Sequence, residues 1–208
     1  MKSRSLYRFF LIIPGLVFIT FIQVNAQEMN AQEETDRKGQ LYLAPDIGLM
    51  FGTTTSIELS PMLGYYLTNR FTIAAGARFE YYNFSRKYYG NLGYETSIYG
   101  PRMQARYVII RNTDNIIPLR LNLQIFVQAE QEFLSLERKY FEFPRTSEEG
   151  RFWQPFTLAG AGISQQVGRN ILMNLVFLWD LDNTLSSPYT NPVIRIGFQF
   201  GFGKKEEI

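Results

Sequence analysis

Carboxylate and arginine residues recur at alternate positions along short segments, and they are the side chains of this chain that could do chemistry. Arg78 and Glu80 share one face of a segment, and Glu130 is followed two residues later by Glu132. Paired carboxylates can act as general acid and base, and clustered arginines can bind an anion. Carboxylates and arginines together can also simply form ion pairs. The residues of this pattern are Asp46, Glu58, Arg78, Glu80, Arg102, Arg106, Glu130, Glu132, Asp180 and Arg195.

The composition limits that chemistry. The chain has no histidine and no cysteine, which excludes a Ser-His or Cys-His nucleophile pair, an imidazole base and a typical zinc site. The same observation excludes a disulfide framework and a cysteine-linked lipid anchor. We therefore predict a protein that is not an enzyme, with no cofactor and no metal.

The charged positions alternate with apolar ones, most clearly in residues 192–202. Phe198 and Phe200 lie on one face of this segment, and Arg195 and Gln199 lie on the other. A period of two predicts a β-strand. Because one face is apolar and the other polar, the two faces must meet different surroundings.

The same alternation recurs along the chain and predicts eight strands. Strand six has small apolar residues on both faces, so its orientation stays open. Pro45 and Pro61 each remove a ladder donor, and a bulge is expected near one of them. The segments 85–95, 136–151 and 182–191 are predicted as long loops, and the other connections as short turns. The predicted strands are residues 41–51, 57–67, 71–82, 96–110, 119–132, 152–167, 171–181 and 192–202.

The segments outside these strands suggest export. Residues 1–26 combine Lys2, Arg4 and Arg8 with a short apolar run and a small-residue end at Ala26, the pattern of a secretory signal peptide. Their removal lowers the formal net charge from +2 to −1, so nothing indicates nucleic acid as a partner. Residues 27–40 are polar and predicted to be a flexible periplasmic lead-in, residues 41–203 the barrel, and residues 204–208 a short charged tail.

An even number of strands, with long loops at one rim and short turns at the other, resembles the small eight-stranded outer-membrane β-barrels of Gram-negative bacteria, the OmpA/OmpX-like group. The resemblance is carried by the alternating residues 194–202 and by the signal peptide that ends at Val24-Asn25-Ala26. It implies an all-β, antiparallel, up-and-down transmembrane β-barrel with a polar, side-chain-filled interior. It also implies outer-membrane lipid and lipopolysaccharide as surroundings, barrel-assembly machinery during biogenesis, and a monomer. Residues 203–208, beyond the last phenylalanine, depart from the group's pattern.

Three functional readings remain open at this point. In the first, the inward charges, which also include Arg120, form a packed ion-pair network, and the protein has a structural or surface-interaction role through its loops. In the second, Glu80, Arg102, Arg106 and Glu130 line a narrow channel for small solutes or ions. In the third, the chain is a soluble exported ligand-binding barrel with its apolar faces inside. The loop residues that could contact lipopolysaccharide or a partner are Arg86, Lys87, Tyr88, Arg138, Lys139 and Arg145.

Overall fold

Eight β-strands make up almost all of the regular structure. The computed structural model describes residues 37–50, 54–84, 94–115, 122–142, 149–182 and 184–202. A four-residue helix, α1 (Arg138–Phe141), follows the fifth strand, and a 3-10 turn spans Thr113–Asn115. No helix in these ranges is long and apolar enough to cross a membrane. The strands are β1 (Leu41–Met50), β2 (Thr54–Tyr66), β3 (Phe71–Phe84), β4 (Tyr94–Ile110), β5 (Leu123–Glu137), β6 (Arg151–Gly168), β7 (Ile171–Asp180) and β8 (Val193–Gly201).

Each strand pairs antiparallel with the next, and β8 pairs with β1 to close the barrel. The predicted eight-stranded, up-and-down fold is confirmed. Closure pairs both sides of every strand, so the sheet has no open edge. We call the rim that carries the connections after β1, β3, β5 and β7 the loop rim. The opposite rim, which carries the other connections and both ends of the barrel, is the turn rim.

The alternation orients the side chains as the sequence predicts. Arg102 is 0% exposed inside the barrel, whereas its neighbour Met103 is 63% exposed on the outer wall. Phe79 and Leu63 also face outward, at 56% and 53%, and Phe198 projects from the wall of β8. The barrel therefore turns its ions inward and its apolar side chains outward.

The bulge expected at the prolines is absent from the described strands. Pro45 and Pro61 lie directly opposite each other in a continuous β1–β2 register. The pairing of each proline's strand with its other neighbour is interrupted instead. Pro45 has no partner in the β1–β8 ladder and Pro61 has none in the β2–β3 ladder, and the register is the same before and after each gap. The N–H group that each proline lacks is thus missing from the β1–β8 or the β2–β3 ladder. Each of these ladders has a gap there and no bulge.

Strand β5 differs from the prediction at both ends. It begins at Leu123, directly after Asn122, whose φ of 46° marks a left-handed turn. Residues 119–121, which include Arg120, lie outside the described residues. Strand β5 continues to Glu137, so the first two residues of the predicted loop 136–151 belong to the strand. Glu137 pairs with Arg151 across to β6, with 3.2 Å between the carboxylate oxygen and the guanidinium nitrogen. The charged residues Glu137 and Arg151, which the sequence assigns to a loop, therefore form an ion pair between two strands.

The register of its neighbours orients β6. Leu158 lies between Glu130 of β5 and Asp180 of β7 and is buried with Phe156 in the lumen. Trp153 and Ala159 accordingly face outward. The small residues 159–162 carry no contrast between faces, which is why the sequence alone leaves this strand open.

The last residues before β1 are held against the turn rim. The Asn69 side-chain oxygen accepts hydrogen bonds from the backbone N–H groups of Arg37 and Lys38, at 3.1 and 3.0 Å. Gly39 N–H donates to the Tyr66 carbonyl at 2.9 Å. Residues 37–40 of the predicted flexible lead-in are thus ordered, whereas the predicted signal peptide, residues 27–36 and the tail lie outside the described residues.

Candidate functional site in the barrel interior

Three buried arginines form the centre of the lumen. Arg78 projects from β3, Arg102 from β4 and Arg195 from β8, and each is almost entirely buried. The strand period brings them inward, because they occupy the same face as the other polar residues of their strands. We call these arginines and the carboxylates around them the ion-pair network; its carboxylates are Asp46, Glu58, Glu80, Glu130 and Glu132.

Arg102 and Arg195 connect opposite sides of the barrel. Arg102 donates to Asp46 Oδ2 on β1 at 3.0 Å and to Glu130 Oε1 on β5 at 2.6 Å. Arg195 donates to the other Glu130 oxygen and, at 2.9 Å, to Glu132 Oε1. Glu130 therefore bridges two guanidinium groups, and charge-assisted bonds cross the lumen from β1 and β8 to β4 and β5.

Arg78 lies nearer the loop rim and is surrounded by acceptors. It donates to Glu132 Oε2 at 2.7 Å and to Glu80, and Glu58 Oε2 lies 3.4 Å away. Its fourth neighbour is Tyr189, whose hydroxyl accepts from Arg78 and donates to Glu132. The Arg78 guanidinium carbon also lies 4.8 Å from the centre of the Tyr189 ring. Tyr189 thus completes the network from the β7–β8 connection.

The balance of charge in the network is acidic. Five carboxylates surround three arginines, and an unpaired buried charge is costly. Loss of a cation leaves carboxylates uncompensated, whereas neutralising one carboxylate removes surplus negative charge. The arginines are therefore the members that the network depends on most.

Arg106 lies apart from the network, in an amide layer nearer the turn rim. It donates to Gln128 Oε1 at 2.9 Å, Asn174 Oδ1 at 3.1 Å and Gln199 Oε1 at 3.3 Å. Its guanidinium carbon lies 4.1 Å from the centre of the Phe126 ring, a cation–π distance. No salt bridge to a carboxylate is formed by Arg106 within the described strands, so neutral acceptors compensate its burial.

Asp180 also lies outside the network. It accepts hydrogen bonds from the Asp182 N–H at 3.1 Å and from the Ser187 hydroxyl, and its own N–H donates to Asn191 Oδ1 at 2.8 Å. Because β7 ends at this residue, the carboxylate caps the strand and folds the β7–β8 connection back over the lumen. This is the connection that delivers Tyr189.

A glycine lies opposite each of several large inward side chains. A Cβ built on Gly197 would lie 2.0 Å from Asp46 Oδ1, and one built on Gly64 would lie 2.0 Å from Tyr42 Cζ. An eight-stranded lumen is only wide enough for packed side chains, so the space for a large residue comes from its neighbour. The opposed pairs are Tyr42 with Gly64, Asp46 with Gly197, Glu58 with Gly48, Arg78 with Gly100, Arg102 with Gly76 and Phe126 with Gly162.

The lumen is apolar between the network and the loop rim. The side chains that β4 to β7 contribute there are fully buried: Ile98, Leu134, Leu136, Phe156, Leu158 and Leu178. Helix α1 adds Phe141, which is in edge contact with Tyr82, and Tyr140, whose ring stacks on Tyr94 at 4.2 Å. The interior is therefore polar in its middle and sealed above by apolar and aromatic side chains, while its lower part combines the amide layer with an apolar cluster of Tyr42, Ala44, Met62, Tyr66 and Ala74.

The predicted loop residues are only partly described. Arg138 lies on α1 and forms an ion pair with Glu142 at 2.7 Å. Lys139 is exposed, with Nζ 5.7 Å from the centre of the Tyr140 ring. Arg86, Lys87, Tyr88 and Arg145 lie outside the described residues.

This arrangement is built to hold charge in place. The paired carboxylates Glu130 and Glu132 are bound by Arg102, Arg195 and Arg78 and do not meet solvent. Over the described ranges, no group of three or more acidic residues is arranged to hold a metal ion.

Comparisons with known proteins reach the fold only. No protein-family model and no curated protein match the chain. The barrel is similar to the N-terminal β-barrel domain of Pseudomonas aeruginosa OprF, with 11% identity, 81% of this chain and 100% of that chain covered, and a TM-score of 0.46. It is also similar to a structure from the de novo design of transmembrane β-barrels, with 13% identity, 83% and 99% coverage, and a TM-score of 0.43. The resemblance to OmpA/OmpX-like barrels in the sequence agrees with the closed eight-stranded fold.

Replacing a network arginine should cost far more stability than neutralising a carboxylate. We expect Arg102→Met to lower the free energy of unfolding by about 3–5 kcal/mol, because Asp46 loses the arginine it is paired with and Glu130 keeps only one of its two. Glu80→Gln keeps the size of the side chain and removes surplus negative charge, so its cost should stay below about 1 kcal/mol. Urea unfolding in lipid vesicles, followed by tryptophan fluorescence, measures both; equal costs would contradict the charge argument.

Two inward glycines of β8 form a matched pair for testing the close packing. Gly197→Ala drives a methyl group into the Asp46 carboxylate and should cost about 1–3 kcal/mol. Gly201→Ala meets its nearest atom, the Asn170 carbonyl oxygen, at 3.6 Å, and should stay within about 0.5 kcal/mol of the parent. The same unfolding measurement applies to both variants. A Gly197→Ala variant as stable as the parent would contradict the close packing of Gly197 against Asp46.

Proposed function

We propose that this chain is an integral outer-membrane β-barrel with a sealed lumen, which acts by presenting its loop rim to partners outside the cell. One observation carries the proposal: Arg102, Arg195 and Glu132 are buried inside while residues such as Phe79 and Met103 cover the outer wall. Exposing such an apolar wall to water is unfavourable, whereas contact with the hydrocarbon of a bilayer is favourable. The distribution is that of a protein whose solvent is lipid.

Two belts of outward aromatic residues support membrane insertion. Tyr65 and Tyr107 lie near the turn rim, and Tyr81 and Tyr99 lie near the loop rim. Tyr99 and Tyr107 are eight residues apart on β4, about 26 Å along the strand and roughly 20 Å along a barrel axis at the usual tilt. The apolar band of such barrels is about 25 Å tall, so the belts lie near the depth expected of interfacial girdles.

Export and assembly belong to the same proposal. Residues 1–26 act as a signal peptide, and the aromatic β8 is the segment that barrel-assembly machinery receives. The short turns and both barrel ends then face the periplasm, and the loop rim faces the exterior. The barrel works as a monomer, because closure leaves no strand edge for pairing with a second copy.

The contacts across the lumen favour a sealed barrel over a channel. Arg102 to Asp46, Arg195 to Glu132 and Arg106 to Gln199 each join strands on different sides of the barrel. From the turn rim, Arg37 reaches under the lumen to the Tyr66 hydroxyl and Gln166 Oε1, both at 3.4 Å. Side chains therefore close the lumen at its middle and at its lower mouth, and Tyr189 enters it from above.

The length of the strands points to the surface that partners meet. The strands β4, β5 and β6 have 17, 15 and 18 residues, whereas β7, β8 and β1 have 10, 9 and 10. The loop-rim ends of β4, β5 and β6 together with α1 form what we call the ledge. It presents Lys139, the stacked rings of Tyr94 and Tyr140, and Arg151, whose guanidinium carbon lies 4.6 Å from the centre of the Tyr99 ring. Basic groups beside aromatic rings suit a partner surface.

Cell fractionation tests the location. We expect the full chain, expressed in a Gram-negative host, to remain in carbonate-washed outer membranes and to shift in electrophoretic mobility after heating, as a folded barrel does. Recovery in the soluble periplasm would favour the ligand-binding barrel and contradict the proposal.

Two arginine substitutions provide the control for that experiment. Ile196→Arg places a charge on the wall of β8 between Ile47 and Leu175, and it should cost about 2–4 kcal/mol near the middle of the bilayer and reduce the folded fraction. Leu185→Arg alters an exposed position of the β7–β8 connection and should leave assembly unchanged. Similar yields of the two variants would show that the wall of β8 does not face lipid.

Conductance separates the sealed barrel from the channel alternative. Purified protein inserted into planar bilayers should be electrically silent, because the network, Arg37 and Tyr189 occupy the lumen. Insertion is checked on the same preparation by its heat-dependent mobility. Stable, reproducible single-channel steps from the inserted protein would establish the channel.

A further inference from the structure

The two rims of the barrel differ in the sign of their charge. Among the described residues, the turn rim carries one acidic residue, Asp114, against a set of basic ones: Arg37, Lys38, Arg70, Arg111 and Arg169. The loop rim has the opposite bias, with Arg138, Lys139 and Arg151 against Glu95, Glu137, Glu142, Glu149 and Asp182. Like charges on one ring repel, so the turn rim is favoured in surroundings that supply anions.

The basic residues of the turn rim occupy fixed positions on two sides of the barrel mouth. Arg70 is exposed in the β2–β3 turn, and its guanidinium donates to the Ile109 carbonyl at 3.3 Å, two residues before Arg111. On the other side, Gln166 accepts from the Arg37 guanidinium and donates to the Arg169 carbonyl at 3.1 Å. The arginines are therefore built into the turns that end the strands.

Their depth matches that of lipid headgroups. Outward Leu67 and Ile109 lie next to these turns and are well exposed, and Tyr107 of the lower aromatic belt lies just above them. Interfacial aromatic rings lie at the boundary between hydrocarbon and headgroups. The charged groups of the turns, which lie just beyond that belt, are therefore at the depth of the lipid phosphates.

We propose that the turn rim binds the headgroups of anionic phospholipids in the leaflet that faces the periplasm. The ligand chemistry is a phosphodiester monoanion, which a guanidinium fork can hold with two parallel hydrogen bonds. Among the described residues of the loop rim, acidic groups outnumber basic ones, so no comparable site is formed by them. The inference rests on the proposed membrane insertion, and it adds a lipid class and an orientation to it.

Lipid selectivity measured by electron paramagnetic resonance tests the site. The full chain is reconstituted in phosphatidylcholine vesicles that contain a small amount of spin-labelled phosphatidylglycerol or spin-labelled phosphatidylcholine. We expect phosphatidylglycerol to be preferred at the barrel about two- to fivefold at low ionic strength, and the preference to fall towards one as salt screens the charges.

Matched variants assign the preference to a rim, because both rims meet the same lipids in these vesicles. Arg70→Gln with Arg169→Gln should remove most of the preference. Arg138→Gln with Lys139→Gln, at the loop rim, should leave it unchanged. The inference is overturned if the parent shows no preference, if both double variants lose it equally, or if soluble peptidoglycan fragments displace the labelled phosphatidylglycerol.

The mobility shift on heating is recorded for every sample first. A parent chain that fails to insert contradicts the proposed membrane location itself. A parent that inserts without lipid preference contradicts only the inference about the turn rim. The two failures are therefore distinguishable.

Discussion

The structure depends on one constraint: the three arginines of the ion-pair network are buried in a narrow lumen, so their carboxylate partners must lie there too. Arg102 is paired with Asp46 on β1, across the lumen, and with Glu130 on the adjacent strand β5, and Arg195 is paired with Glu130 and Glu132. These bonds can form only when the barrel is closed, because their partners come from β1, β4, β5 and β8. Burial of such pairs is a weak source of stability in water, but an unpaired ion next to hydrocarbon is far worse. The network therefore ties the closed state to the correct register.

The same constraint explains the placement of small residues. Large inward side chains fit in the lumen because Gly197 and Gly64 lie opposite Asp46 and Tyr42. Gly76 and Gly100 leave room for the backbone of β2 and β5, which a Cβ at either position would meet. A one-residue slip of any strand would replace these glycines by outward residues such as Ala75 and place apolar side chains against the ions. Close packing and charge pairing thus specify the same arrangement of strands.

The sequence predicts the faces of the strands well and the contacts between them poorly. Period two is enough to direct Arg102 inward and Phe198 outward, since each residue's face depends only on its own strand. Which carboxylate meets which arginine depends on register, and no local pattern reveals that Arg106 meets amides while Arg102 meets Asp46. Tyr189 lies in a connection with no period at all, and the chain delivers it only because Asp180 folds that connection inward. In the sequence, Glu137 and Arg151 lie in a charged segment that suggests a loop. In the structure, they pair at the ends of β5 and β6, which the sequence pattern does not reveal.

The proposed function assigns interactions to the two rims of the barrel, with the ledge on one side and the basic turns on the other. Everything rests on the outer wall meeting acyl chains. Nuclear Overhauser contacts between alanine methyl groups and lipid acyl protons, measured with the unmodified barrel in nanodiscs, test this directly. We predict contacts from outward Ala75, Ala129 and Ala161 and none from inward Ala44 and Ala74. Lipid contacts from Ala44 and Ala74, with none from the outward alanines, would contradict the account.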